Sequence, residues 1–181
     1  MLIKVDTVGD QFLTADLKIL TAFQKTTQPK LKTAKPETSV SVDHWADKGL
    51  KEEFLGLKSL KNYKAGKDET LTFTGAMGET VFVVGLGDKS KLTAEDIRKS
   101  AAKIYKASKS GKHQSVAFSV SGFNGVRDEV ETARLIAEAI LMSDYNFDQY
   151  KSKKTPAMEQ TIYLSHVEKK NAARLEKALA S

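Results

Sequence analysis

Lysines give this chain its clearest chemical potential, which is contact with a polyanion. Three of them recur with the i, i+4, i+7 spacing of one helical face, and three follow the aromatic residues of the stretch YNFDQYKSKK, residues 145–154. Lysines on one face can follow the phosphates of DNA, with an affinity that falls steeply with salt. A solvated helix face is the commoner reason for such a pattern. The candidate DNA contacts are Lys99, Lys103, Lys106, Lys151, Lys153 and Lys154.

The aromatic residues of the same stretch, Tyr145, Phe147 and Tyr150, have two interpretations. Interleaved with lysines, they could form part of a nucleic-acid surface. They could instead end a helix and pin it to the core, burying their rings while the tyrosine hydroxyls reach polar partners.

A glycine-rich loop, Gly85-Leu86-Gly87-Asp88, follows the apolar run Val81–Val84 and precedes a predicted helix. Glycines in such a place can bring backbone N–H groups close to a phosphate. The sequence lacks both GxGxxG and GxxxxGK[ST], and Asp88 would repel an anion. A turn between a strand and a helix is therefore the favoured interpretation.

Other catalytic and metal-binding patterns are missing from the sequence. The three histidines lie more than fifty residues apart, and none has a second metal ligand at helical spacing. The chain contains no cysteine, which excludes disulfides, zinc thiolates and a cysteine nucleophile. No serine stands in a G-x-S-x-G elbow. The sequence therefore predicts no catalytic or metal-binding residue and no cofactor for this chain.

Composition indicates a globular domain. The 181 residues are 40% hydrophobic and 29% charged, with a formal net charge of +6 and a pI near 9.3. This length can bury a substantial core. The net charge permits a polyanionic partner without requiring one. The chain starts without an apolar signal segment, and its longest apolar run is too short for a membrane span. We expect a cytoplasmic protein with no membrane partner.

The hydrophobic pattern alternates strands with helices, which predicts an α/β fold. A hairpin is expected around Gly75–Gly78, followed by a central, buried strand at Val81–Val84. Thr93 with Asp96 predicts a capped helix start, and Gly111 a helix end. Further predictions are a helix over 127–142 with Leu141 facing inward, a loop over 26–41, a strand over 161–166 and a terminal helix over 168–180.

Several segments of the sequence, in their order along the chain, resemble those of the N-terminal domain of the cytosol (leucyl) aminopeptidase family. The most specific segment is AEAILMSDYNFDQYKSKK, and the second is VGLGDK. The resemblance covers residues 71–167 well and the first seventy residues only in general layout. It also favours the anchoring role for the aromatic rings of residues 145–150.

The resemblance implies a macrodomain-like three-layer sandwich, with a mixed β-sheet flanked by helices. It implies a domain over residues 1–167 and the start of an interdomain linker helix over 168–181. The family's peptidase uses two divalent metals, often zinc and manganese, held by a separate C-terminal domain. That catalytic domain is missing from this sequence, so we expect an inactive fragment.

Three roles stay open for such a domain. The first, implied by the resemblance, is a structural role beside its own catalytic domain and within a hexamer of the enzyme. The second is DNA binding through the basic helix face. The third is a nucleotide or ADP-ribose site at the GLGD loop, which rests on fold likeness alone.

Overall fold

One mixed β-sheet organises the computed structural model, which describes residues 1–27, 37–43, 48–123, 127–145 and 159–179. Its strands run in the spatial order β1-β7-β6-β2-β5-β4, and β3 pairs with β2. The strands are β1 (Leu2–Asp6), β2 (Leu17–Thr27), β3 (Glu37–Ser41), β4 (Thr70–Thr74), β5 (Thr80–Gly85), β6 (Ser115–Ser119) and β7 (Thr161–Ser165). Neighbouring strands along the path from β1 to β5 are parallel. Strand β4 is antiparallel to β5, and β3 is antiparallel to β2.

Helices cover both faces of this sheet. They are α1 (Asp10–Thr14), α2 (Lys48–Gly56), α3 (Ala94–Ser110), α4 (Glu129–Asp144) and α5 (Lys169–Leu179). Helices α3, α4 and α5 pack on one face, against a cluster that includes Ile19, Val84 and Phe118. Helices α1 and α2 pack on the other, against Leu20 and Val83. This arrangement confirms the predicted α/β fold with a mixed sheet flanked by helices.

Local sequence signals located several elements correctly. The hairpin joins β4 to β5, with Thr74 opposite Thr80, and β5 lies between β2 and β4. A capping box begins α3, because Thr93 Oγ1 accepts from the Asp96 N–H at 3.2 Å while the Asp96 carboxylate accepts from Thr93. Gly111 caps the other end of this helix, as predicted.

Three expectations about the elements were wrong. Helix α1 was missed, because its start depends on the carboxylate of Asp6, which accepts N–H bonds from Val8, Gly9 and Gln11. The predicted loop over 26–41 contains the end of β2 and the whole of β3. Leu141 is 51% exposed, since it follows the buried Ile140 by one residue and lies about 100° further round the helix.

The described residues contain no helix that is long and apolar enough to cross a membrane.

Among the glycines that the structure describes, Gly85 has the closest backbone neighbours. A Cβ atom at this position would lie 2.2 Å from the carbonyl oxygen of Gly66 and 2.7 Å from the carbonyl carbon of Ala65. Both atoms belong to the backbone, so a side chain could not be accommodated by a rotamer change. The end of β5 therefore requires glycine.

Replacing Gly85 with alanine should destabilise the domain by about 1–3 kcal/mol or more, because the added methyl group overpacks fixed backbone atoms. Urea unfolding followed by circular dichroism measures the change. Gly56→Ala is the matched control, since no atom lies within 4 Å of its Cβ position and a helical alanine is favourable. Equal stability of the two variants would contradict the packing constraint.

Candidate functional site

The backbone of the GLGD loop is hydrogen-bonded to the protein itself. Its first three N–H groups donate to backbone carbonyl oxygens. Gly85 donates to Glu69 at 2.7 Å, Leu86 to Ala22 at 2.9 Å and Gly87 to Ala65 at 3.0 Å. Asp88 turns its carboxylate to Ser90, whose N–H and hydroxyl donate to it at 2.9 and 2.7 Å. These hydrogen bonds lower the pKa of Asp88.

The glycines of this loop thus serve close packing. Gly85 leaves room for residues 65–66, and Gly87 adopts a positive φ of 72° that suits the turn. The amides that a phosphate would need already have acceptors, and Asp88 adds a negative charge. This geometry favours the turn between a strand and a helix over the nucleotide site.

Helix α3 presents the predicted basic face to solvent. Lys99, Lys103 and Lys106 are all exposed on one side of the helix, opposite the buried stripe that includes Ile97, Ala101 and Ile104. Lys99 lies 3.7 Å from Glu95, and the ammonium of Lys103 donates to the carbonyl oxygen of Asp68 at 2.7 Å. The other three candidate lysines, Lys151, Lys153 and Lys154, lie outside the described residues.

A polar cluster that the sequence analysis missed joins the ends of α3 and α4. The hydroxyl of Tyr105 donates to Asp144 Oδ1 at 2.5 Å, and Lys109 forms an ion pair with the same oxygen. The Lys109 ammonium also lies 5.3 Å from the centre of the Tyr105 ring. The one available signal was the i, i+4 spacing of Tyr105 and Lys109, which places both on one side of α3.

Charges and burial set the titration of this cluster. Burial, with help from Asp144, raises the pKa of Tyr105 to about 12. Asp144 raises the pKa of Lys109. Burial alone would raise the pKa of Asp144, but the hydrogen bonds from Lys109 and Tyr105 outweigh it and lower that pKa. Asp144 is therefore ionised at neutral pH and holds the two helices together.

Tyr145 does not have the buried ring that the anchoring interpretation requires. Its side chain is 75% exposed at the end of α4, where the backbone turns to an extended conformation. The ring that anchors this end of the molecule is instead that of Tyr105, which is fully buried. Phe147 and Tyr150, the other two predicted anchors, lie outside the described residues.

No cluster of three or more histidine, aspartate or glutamate side chains that could hold a metal occurs in the part of the chain that the structure describes. His113 and His166 are partly buried at separate places, and the ring of His166 packs edge-on against Phe12 at 5.1 Å. The described residues therefore do not fit the two-metal centre that the resemblance implies for a separate catalytic domain.

These features define an α/β domain with a basic face on α3 and a glycine loop that packs against residues 65–66. The model of the cytosol aminopeptidase family's N-terminal domain matches residues 28–154. The chain belongs to this family and corresponds to its N-terminal domain.

Curated relatives agree with this assignment. The "probable cytosol aminopeptidase" of Aquifex aeolicus is 30% identical over 109 residues, which cover 59% of this chain and 22% of the relative. The protein of the same name from Protochlamydia amoebophila is 28% identical over 148 residues, covering 82% of this chain and 28% of the relative. The chain thus spans about a quarter of the length of these relatives.

Solved structures support the fold. A mutant of tomato leucine aminopeptidase superposes with a TM-score of 0.67 at 16% identity, covering 99% of this chain and 35% of that one. The bottromycin maturation enzyme BotP gives a TM-score of 0.56 at 19% identity, covering 92% of this chain and 30% of that one. At these identities the likeness concerns the fold alone.

Asp144→Asn should destabilise the domain by about 1 kcal/mol at pH 7, because it removes a charge-assisted contact of a partly exposed carboxylate. A carboxyl group whose pKa is lowered by folding stabilises the folded state when the pH is above its ordinary pKa of 3.8. This contribution is lost as the pH falls through the lower pKa of the folded state. The gap in unfolding free energy between wild type and variant should therefore narrow below pH 4.

Urea titrations at pH 7, 4 and 3 measure this gap. Asp10→Asn, which removes an exposed carboxylate on α1 away from this cluster, is the control for the loss of a single charge. A gap of constant size from pH 7 to pH 3 would contradict the role of the ionised Asp144.

Proposed function

We propose that this chain is the non-catalytic N-terminal domain of a cytosol (leucyl) aminopeptidase. The parent enzyme would release N-terminal amino acids with two divalent metals, zinc or manganese, bound in a separate C-terminal domain. Residues 1–167 would form the domain, residues 168–181 would begin the linker to the catalytic part, and the enzyme would work in the cytoplasm. The family match over residues 28–154 carries this proposal.

The role proposed for the domain is assembly, or regulation of the catalytic part. Its partners would be its own catalytic domain and further copies of the enzyme, arranged as a hexamer. Two neighbouring apolar side chains on α4 support a contact role, because both are more than half exposed. They are Leu141 at 51% and Met142 at 77%.

The purified chain should not hydrolyse leucine p-nitroanilide, with or without added manganese or zinc, because its described residues offer no cluster for a metal pair. The assay follows p-nitroaniline absorbance, with the full-length Protochlamydia relative as the comparison enzyme. Metal-dependent turnover by the chain that survives repeated purification would overturn the non-catalytic assignment.

A second candidate function is DNA binding through the exposed lysines of α3. Three lysines on one side of a 17-residue helix give a cationic strip that runs along one face of the domain. The lysines of this strip are Lys99, Lys103 and Lys106. Such a surface would bind duplex DNA without sequence preference, by releasing counterions.

Fluorescence anisotropy with a labelled duplex at several salt concentrations tests this function. Changing Lys99, Lys103 and Lys106 together to glutamine should weaken binding at low salt and reduce the slope of log K against log salt by about 0.9 for each lost contact. The matched control changes Lys51, Lys58 and Lys61, which are exposed in α2 and in the turn after it. Equal losses in both triple variants, or no binding at low salt, would remove this candidate.

The nucleotide alternative has less support, because the amides of the GLGD loop already donate to protein carbonyls. Calorimetry with ADP-ribose checks it, and no heat of binding is expected.

A further inference from the structure

Strand β4 forms one outer edge of the sheet, and its backbone geometry fixes which groups face outward. Gly75 donates to Glu79 and Gly85 donates to Glu69, which makes these the hydrogen-bonded pairs of the β4–β5 ladder. Such pairs alternate along an antiparallel ladder, so Leu71 and Phe73 also bond to β5. The N–H and C=O groups of the intervening threonines, at positions 70, 72 and 74, therefore point away from the sheet.

The side chains along this edge follow the same alternation. Thr70, Thr72 and Thr74 are exposed on one face, whereas Leu71 and Phe73 are partly buried on the face that α2 covers. Among the described residues, no hydrogen bond from another element reaches the backbone of the three threonines. Within the part of the chain that the structure describes, the edge is therefore open along the whole of β4.

Charge distinguishes β4 from the other outer strands. Natural sheets protect open edges with charged residues, proline or a covering element. Strand β1 carries Lys4 and has α5 beside it, and β3 begins with Glu37. Strand β4 reads TLTFT, which has no charge and no proline and is rich in residues that favour strands. Neither a charge nor a proline protects it from pairing, and no element among the described residues covers it.

The sequence TLTFT is self-complementary in antiparallel pairing. With Thr72 on a two-fold axis, Thr72 faces its own copy and Thr70 faces Thr74 of the second copy. All three facing pairs join residues whose backbone groups point outward, so each becomes a hydrogen-bonded pair. A shift of the register by one residue would bring Leu71 or Phe73 opposite a threonine, and the outward groups would no longer meet.

The same register also suits the side chains. Leu71 of one copy lies opposite Phe73 of the other on the α2 face, which would cover side chains that are partly exposed in the single chain.

From this geometry we propose that β4 is a homotypic interface, through which two copies of the chain join their sheets antiparallel about Thr72. The proposal rests on the assembly role proposed above and names the surface and the partner for it. The interface involves one five-residue strand from each copy, so its area lies at the low end of specific contacts, below about 1,200 Å². Pairing should therefore be weak and depend on concentration.

Cross-linking tests the register directly, because the chain has no cysteine of its own. In the proposed dimer the two Thr72 Cα atoms lie about 5.5 Å apart, within reach of a disulfide. Thr72→Cys should thus give a covalent dimer on mild oxidation. In Thr70→Cys the two thiols would be about 14 Å apart along the strands, and oxidation should leave monomers. Equal yields from both variants, or none from Thr72→Cys, would overturn the proposal.

Sedimentation velocity over a range of concentrations separates this proposal from the assembly role. Thr72→Lys places two ammonium groups at the axis and should abolish the dimer, whereas Gln11→Lys adds the same charge on α1, which packs near β6, β7 and β1, and should not. Circular dichroism confirms that both variants fold. Self-association that persists in Thr72→Lys would overturn the β4 interface but retain the assembly role. A chain that stays monomeric throughout would count against both.

Discussion

Over residues 17–23, strand β2 is buried on both faces of the sheet, so each polar group in that part needs a partner inside the protein. Lys18 is only 3% exposed, and its ammonium is held by Glu79 at 2.6 Å. Thr21 donates to the carbonyl oxygen of Gly122 at 2.6 Å. A buried charge without a partner costs several kcal/mol. These contacts therefore fix β2 against the start of β5 and against the turn after β6, and the outer strands and helices assemble around that arrangement.

Features encoded within a few residues were predictable from the sequence. The hairpin, the buried run of β5 and the capping box at Thr93 each depend on neighbours in the chain. Helix α1 begins with hydrogen bonds to the carboxylate of Asp6, two to five residues earlier in the chain, and with five residues it is too short for hydrophobic periodicity to indicate. Strand β3 exists because β2 extends beyond the end of β6 to pair with it. That pairing is a tertiary contact, which hydrophobic periodicity does not record.

The candidate sites also divide into features that local sequence predicts and features that depend on tertiary contacts. Helical spacing placed the three lysines of α3 on one exposed face correctly. The role of the GLGD loop could be settled only by the residues packed against it, because glycine is needed both for phosphate binding and for close backbone contact. Asp144 was missed since its partners, Tyr105 and Lys109, belong to another helix. The carboxylate of Asp144, and not the predicted ring of Tyr145, links the end of α4 to the core.

The short edge at β4 would serve its function within the larger chain proposed for the parent enzyme. Three hydrogen-bonded pairs give weak pairing between separate molecules, which protects an isolated domain from uncontrolled aggregation. When copies are already held together by another domain, the second contact becomes intramolecular, and effective concentrations can reach the millimolar range. An uncharged edge that pairs weakly is then sufficient to fix how neighbouring domains are oriented. A charged edge like that of β1 would oppose the same contact, and a longer neutral strand would risk pairing with the wrong partners.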